Sequence, residues 1–132
     1  MKPSKLLGVR GLNYFPLDVD FLNDYKIQEI NEHFGAKGII VYLSMLCKIY
    51  KEGFCLNMAL NELGYIISRD LGAEQYPVDE VCEILRFFTI INLLDKESAK
   101  FGWLTSTGIQ RRHYLVSHKS KCKLSDYFLL SE

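Results

Sequence analysis

Between Ile39 and Tyr50 only Ser44 and Lys48 are clearly polar, and with Lys37 and Lys51 they recur at spacings of seven, four and three. On a helix this leaves one narrow polar stripe, so the segment needs cover on several sides. Its length of about 15 residues falls short of the ~20 that a membrane span requires. The pattern predicts a buried central helix within 34–53, punctuated by Gly35 and Gly53 at its two ends.

The flanking patterns predict the elements that cover it. Residues 1–10, with Pro3, Gly8 and no periodicity, read as a loose arm, and Leu12 to Phe21 as an extended segment lying on the core. Asn23 or Asp24 can cap a first helix over about 24–34, with Ile27, Ile30 and Phe34 on one face. Gly53 to Asn57 allows only a short strand or turn. A helix then starts at Asn57, buries Leu60, Leu63, Ile67 and Leu71, and ends at Gly72; Gly64 inside it suggests a close helix contact. Pro77 opens the next helix, which buries Val78, Val81, Ile84, Leu85 and Phe88 and stops at Asn92. Two apolar runs around a charged tip, Leu93 to Thr105, predict a hairpin. Ser106 or Thr107 caps a last helix, with Gln110 completing a capping box. The end, Lys123 to Glu132, is amphipathic and has no predicted place.

The predicted fold class is therefore mainly α with a small β-hairpin, in the order of a winged helix: a helix-turn-helix plus wing. It occupies 11–120, between the arm 1–10 and a C-terminal tail 121–132. A small helical bundle with an incidental hairpin has the same order.

Length and composition narrow the class further. A chain of 132 residues, 48% hydrophobic and 24% charged, supports one domain with a modest core. It shows no signal peptide pattern and no membrane-length apolar run, and it reads as cytoplasmic. Cys47, Cys55, Cys82 and Cys122 form no Cys-x-x-Cys pair and read as reduced core thiols. Net charge is zero but unevenly placed, with 10 Lys or Arg against 14 Asp or Glu over residues 1–97 and no acid from Ser98 to Ser125.

Catalytic and cofactor chemistry find little support. Asp18 and Asp20 could share a face, but no third group accompanies them. His118 and Cys122 have ligand spacing, yet no second pair completes a zinc site. Gly35-Ala-Lys-Gly38 lacks the Lys-Ser/Thr of a phosphate loop and reads as a tight helix turn. No enzyme, metal or cofactor is expected. The helix that would enter a DNA groove is acidic, with Glu74, Asp79, Glu80 and Glu83 against Arg86, and phosphates would repel it. Contact with double-stranded DNA would instead use Arg111, Arg112 and Lys119 on the last helix, with Lys96 and Lys100 on the wing. The alternative is a scaffold for protein association. Tyr14, Phe15, Leu17, Val19 and Phe21 offer an apolar surface for a second copy.

Several stretches also carry a resemblance. They are Gly11 to Phe21 with its Tyr-Phe-Pro-Leu-Asp run, Phe34-Gly-Ala-Lys-Gly38 leading to Tyr42, Leu43, Leu46, Ile49, Tyr50 and Gly53, then Leu93-Leu-Asp-Lys96, and Leu104-Thr-Ser106 with Ile109, Gln110 and Arg112. Over about residues 11–115 the sequence resembles a domain-of-unknown-function family of phage and mobile-element proteins. That family is similar to the N-terminal winged helix of DnaD-type replication proteins. The resemblance implies a role in replication initiation or primosome assembly, with replication proteins as partners. The sequence departs from the family pattern at Asn92, where glycine is usual, and at Glu132, where the usual second domain does not follow.

Overall fold

Asp24 starts the first regular helix, because its carboxylate accepts the otherwise unbonded amides of Lys26 at 2.8 Å and Ile27 at 3.4 Å. The computed structural model describes residues 11–116 and 123–130. The arm 1–10 and the positions of His118, Lys119 and Cys122 lie outside them. Helix α1 runs Tyr25–Phe34 and α2 runs Ala36–Glu52, joined through Gly35 in the left-handed region at φ 68°. A side chain at Gly38 would run into Ile30 and Phe34, so the two helices approach closely there. The reading of Gly35 to Gly38 as a tight helix turn is thus what is found.

Helix α2 is the central element, packed against α1 and, beyond it, β1 (Leu56–Asn57), α3 (Leu60–Leu71) and α4 (Val78–Ile90). Val41, Met45, Leu46, Ile49 and Tyr50 are fully buried. Its polar stripe serves as a set of anchors: Lys37 pairs with Glu80 of α4 at 3.1 Å and Lys48 with Asp70 of α3 at 2.5 Å. The hydrogen bond from Lys48 holds the Asp70 carboxyl below the ordinary carboxylate range. Cys47 lies on this same stripe and is exposed, which corrects its reading as a core thiol. Three residues after Ser44 and four before Lys51, it shares their face. Cys55 and Cys82 are buried as expected, and burial pushes the Cys55 thiol up to about 12.

Helices α3 and α4 pack so closely that a methyl on Gly64 would overlap the Cys82 sulfur. Helix α3 begins at Leu60 and not at Asn57, because Asn57 is used in strand pairing, opposite Trp103. Asn92 ends the α4 region in the left-handed conformation at φ 66°, as its residue type suggested.

The predicted hairpin over Leu93 to Thr105 does not form. Its charged tip is a helix, α5 (Lys96–Lys100), because the Asp95 carboxylate accepts both the amide and the hydroxyl of Ser98, at 2.9 and 2.6 Å. The strand that follows, β2 (Trp103–Leu104), pairs antiparallel with β1, Leu56 opposite Leu104. A single bond from the Asp95 amide to the Thr105 carbonyl, 2.8 Å, closes the loop base. The fold is mainly helical, with six α-helices and one small antiparallel sheet among the described residues.

Helix α6 (Thr107–Val116) is capped by Ser106, whose hydroxyl accepts the Ile109 amide at 3.1 Å. Gln110 does not complete a capping box. It is fully buried, donates to Thr105 at 3.2 Å and accepts the Leu129 amide at 3.0 Å, because the chain returns over it. After a short turn at Leu124–Asp126, Tyr127 enters the core between Phe54 and Tyr114 and meets the His113 ring nitrogen at 2.8 Å.

Two outcomes check this packing. Gly64→Ala should destabilise the domain in urea unfolding by roughly 1–3 kcal/mol despite its better helix propensity, and Cys82→Ala in the same chain should recover most of it. In peptide mapping after alkylation, Cys47 should be labelled in the native protein and Cys55 only after unfolding.

Candidate functional site

A cleft of about 870 Å³ lies between the N-terminal strap, residues 11–24, and the start of α6. Its deep lining is apolar, with Ile27, Tyr42, Leu46 and Ile109 all buried. Carboxylates from Asp18, Asp20 and Asp24 line the strap side, and Arg111 and Arg112 line the α6 side. The strap has no regular structure over residues 11–18, then turns at Val19 and Asp20 into a short 3-10 helix, Phe21–Asn23, so the expected extended segment ends before Phe21; part of the strap faces inward. Phe15 stacks on Tyr50 with centroids 4.8 Å apart, Phe21 stacks on Tyr42 at 6.1 Å, and the Leu12 amide donates to the Tyr50 carbonyl at 2.7 Å. Other side chains of the strap face water, as does Tyr25 at the start of α1: Tyr14 is 83% exposed, Leu17 47%, Val19 97%, Leu22 64% and Tyr25 74%. Val19 sits at the turn between Asp18 and Asp20, whose carbonyls accept the amides of Phe21 and Asn23.

Arg112 is half-buried and holds α6 to the core. It donates to the Tyr50 hydroxyl at 2.7 Å, and that hydroxyl donates to the Ile109 carbonyl at 3.3 Å. Burial pushes the Tyr50 hydroxyl up to about 12, with the nearby guanidinium opposing the shift, and it raises Tyr42 in the same way. The remaining residues proposed for DNA contact are dispersed in role. Arg111 is exposed at the cleft, Lys96 is exposed at the start of α5, and Lys100 reaches Glu97 of its own helix at 3.4 Å. Lys119 lies outside the described residues. On α4, Asp79, Glu80 and Glu83 outnumber that helix's one cation, Arg86, although Lys37 of α2 pairs with Glu80, and Glu74 precedes the helix.

Among the described residues no cluster of three His, Cys, Asp or Glu side chains has the geometry of a metal site. No described helix is long and apolar enough to cross a membrane. Neither the exposed Leu22 of the strap and Tyr25 of α1 nor the tyrosine anchor of Arg112 was singled out by sequence reasoning. A signal for the first was present in the density of large apolar residues from Tyr14 to Tyr25, which continue past Phe21 between Asp18, Asp20, Asn23 and Asp24.

Residues 14–109 match the family described as Lin1244/Lin1753-like, N-terminal. The chain belongs to that family. A curated relative, the uncharacterized phage-related protein Lin1244/Lin1753 of Listeria innocua, is 31% identical over 129 residues, which takes in 91% of this chain. The chain spans 39% of that relative's length. No solved structure matches. The Lin1244/Lin1753-like domain is thus a phage-related domain of unknown function, and the strap from Tyr14 on, Tyr42, Tyr50 and Ile109 fall within the matched region, whereas Arg111 and Arg112 lie beyond it.

The tyrosine anchor has an alkaline signature. A hydroxyl whose folded pKa stands above its unfolded value near 10 contributes stability that is complete below pH 10 and is lost as pH rises toward 12. The Cys55 thiol, raised from 9 to about 12, acts in the same direction. Unfolding free energy should therefore fall between pH 9 and 12, and Tyr50→Phe should remove part of that fall. At neutral pH the same variant should cost about 1 kcal/mol, read from urea unfolding.

Proposed function

We propose that this domain is a non-catalytic, winged-helix-type assembly module of a phage-related replication protein in the cytoplasm, working by protein association rather than by reading a duplex. The fold order supports the winged-helix part: α2, β1, α3 and α4, then a strand that returns to β1, then α6. The replication part rests on the resemblance to DnaD-type N-terminal domains. The observation that carries association is the exposed surface of the strap and the start of α1, where five large apolar side chains within twelve residues meet water. Monomeric proteins rarely leave so much apolar surface in one place, and large apolar patches beside polar groups mark partner sites.

A second reading, sequence-independent contact with duplex DNA, is favoured by Arg111 and Lys96, which are both exposed. Against it stand the acidic α4, the engagement of Arg112 with Tyr50 and the pairing of Lys100 with Glu97. Phosphate neutralisation supplies most of non-specific affinity and grows with the number of available cations.

Gel shifts of a labelled duplex over a salt series decide between the two. Retardation should be absent at ~50 mM salt, where non-specific electrostatic binding is strong. Binding with a steep salt slope that Arg111→Ala and Lys96→Ala flatten would replace association with DNA contact as the function.

A further inference from the structure

The cleft between the strap and α6 has an apolar floor and charged walls, and its charges are of two kinds. Some are engaged within the fold: Asp24 holds the amides of Lys26 and Ile27, Asp95 holds Ser98, Lys26 reaches the Asn92 carbonyl at 3.5 Å, and Arg112 is bound to the Tyr50 hydroxyl. Asp18 and Asp20 on one wall and Arg111 on the other are exposed and, among the described residues, make no side-chain hydrogen bond or ion pair. We propose that the cleft takes the C-terminal end of a partner polypeptide: a large apolar last side chain on the floor, its free carboxylate at Arg111, and a Lys or Arg just upstream at Asp18 and Asp20. This rests on the association reading above and names the kind of segment that the domain captures.

Three observations converge on such an occupant. The first is shape. At about 870 Å³ the cleft is of the size that holds a ligand, roughly 300–1,000 Å³, and its floor of Ile27, Tyr42, Leu46 and Ile109 offers an entering side chain apolar neighbours. Leu17 and Tyr25 carry apolar surface outward over the rim, so the occupant continues beyond the cleft as a chain does. The second is charge. Unengaged groups of opposite sign on facing walls fit an occupant charged at both ends, whereas a wholly cationic or wholly anionic segment leaves one wall unmatched. The third is Gly108, which lines the cleft three residues before Arg111. Every other described glycine has a positive φ or would collide with a neighbour if given a side chain. Gly108 does neither, and an added carbon there would lie 3.9 Å from the Ser106 hydroxyl, an ordinary contact. A glycine that the fold itself does not require has a use where another molecule comes close to the backbone.

The test is fluorescence anisotropy of N-terminally labelled synthetic pentapeptides against the full 132-residue chain, taken to about 1 mM because a short flexible peptide loses much of its binding energy to ordering. The peptides end in Leu, Ile or Phe and carry Lys one or two residues upstream. At least one should bind, and its C-terminal amide should bind at least tenfold more weakly. Arg111→Ala should cost the free acid a similar factor and the amide little. With Asp18→Lys and Asp20→Lys together, preference should switch to the peptide carrying Glu in place of Lys, a reversal that a general structural defect would not produce. Gly108→Leu should leave the melting temperature at or above that of the wild type, since leucine is the better helix former, and yet weaken binding at least tenfold. The proposal is overturned if no peptide of the set binds, if acid and amide bind alike, or if any of these three variants leaves binding unchanged. Absence of peptide binding together with failure to retard duplex DNA refutes only the chain terminus and leaves another kind of protein segment for the exposed strap, whereas salt-sensitive duplex binding refutes the association reading itself.

Discussion

Tyr50 is the residue through which three otherwise separate parts of the chain are held together. Its ring receives Phe15 of the strap, its carbonyl accepts the Leu12 amide, and its hydroxyl accepts from Arg112 and donates to Ile109 on α6. A buried hydroxyl without partners would cost about 1–3 kcal/mol, so the side chain is tolerable in the core only because α6 brings both groups to it. The cleft is a by-product of this arrangement. Strap and α6 converge on the C-terminal end of α2 and leave a gap over Tyr42 and Leu46.

The same geometry explains why charge counted along the chain is a poor guide to charge available at the surface. The acid-free region from Ser98 to Ser125 suggested a phosphate-binding face. Within it Arg112 bonds a core tyrosine and Lys100 reaches a carboxylate one turn away. On the other side of the domain Lys37 and Lys48 draw Glu80 and Asp70 toward α2. These pairs are partly exposed and contribute little to stability individually. Their effect is on recognition, because they reduce the field that a phosphate backbone would meet.

What was legible in the sequence follows from what is local. Helix α1 with its Asp24 cap, the buried α2, the Gly64 contact and the Asn92 stop were each readable from spacing and residue type, and the family resemblance was carried by the strap and the approach to α2. The errors arose where a distant partner decided the outcome. Asn57 looks like a cap until Trp103 lies opposite it, and Leu93 to Thr105 looks like a hairpin until Leu104 finds Leu56. Gln110 at its capping-box position is taken by Leu129, nineteen residues away. The exposure of Cys47 needs no distant partner, since helical spacing alone places it with Ser44 and Lys51. For the candidate site, the apolar run of the strap was visible but its division into inward Phe15 and Phe21 and outward Tyr14, Val19 and Tyr25 depends on Tyr42 and Tyr50.

The burial of Tyr127 separates two ways of saying where this domain ends. The family match ends at residue 109, in the first turn of α6, yet Gln110, His113 and Tyr127 beyond it are among the least exposed side chains described. A fragment cut where the family match ends would expose Phe54 and open a void the size of a tyrosine beneath it. For expression or domain transplantation, the working unit therefore extends at least to Leu130, because the core closes beyond the end of the family match.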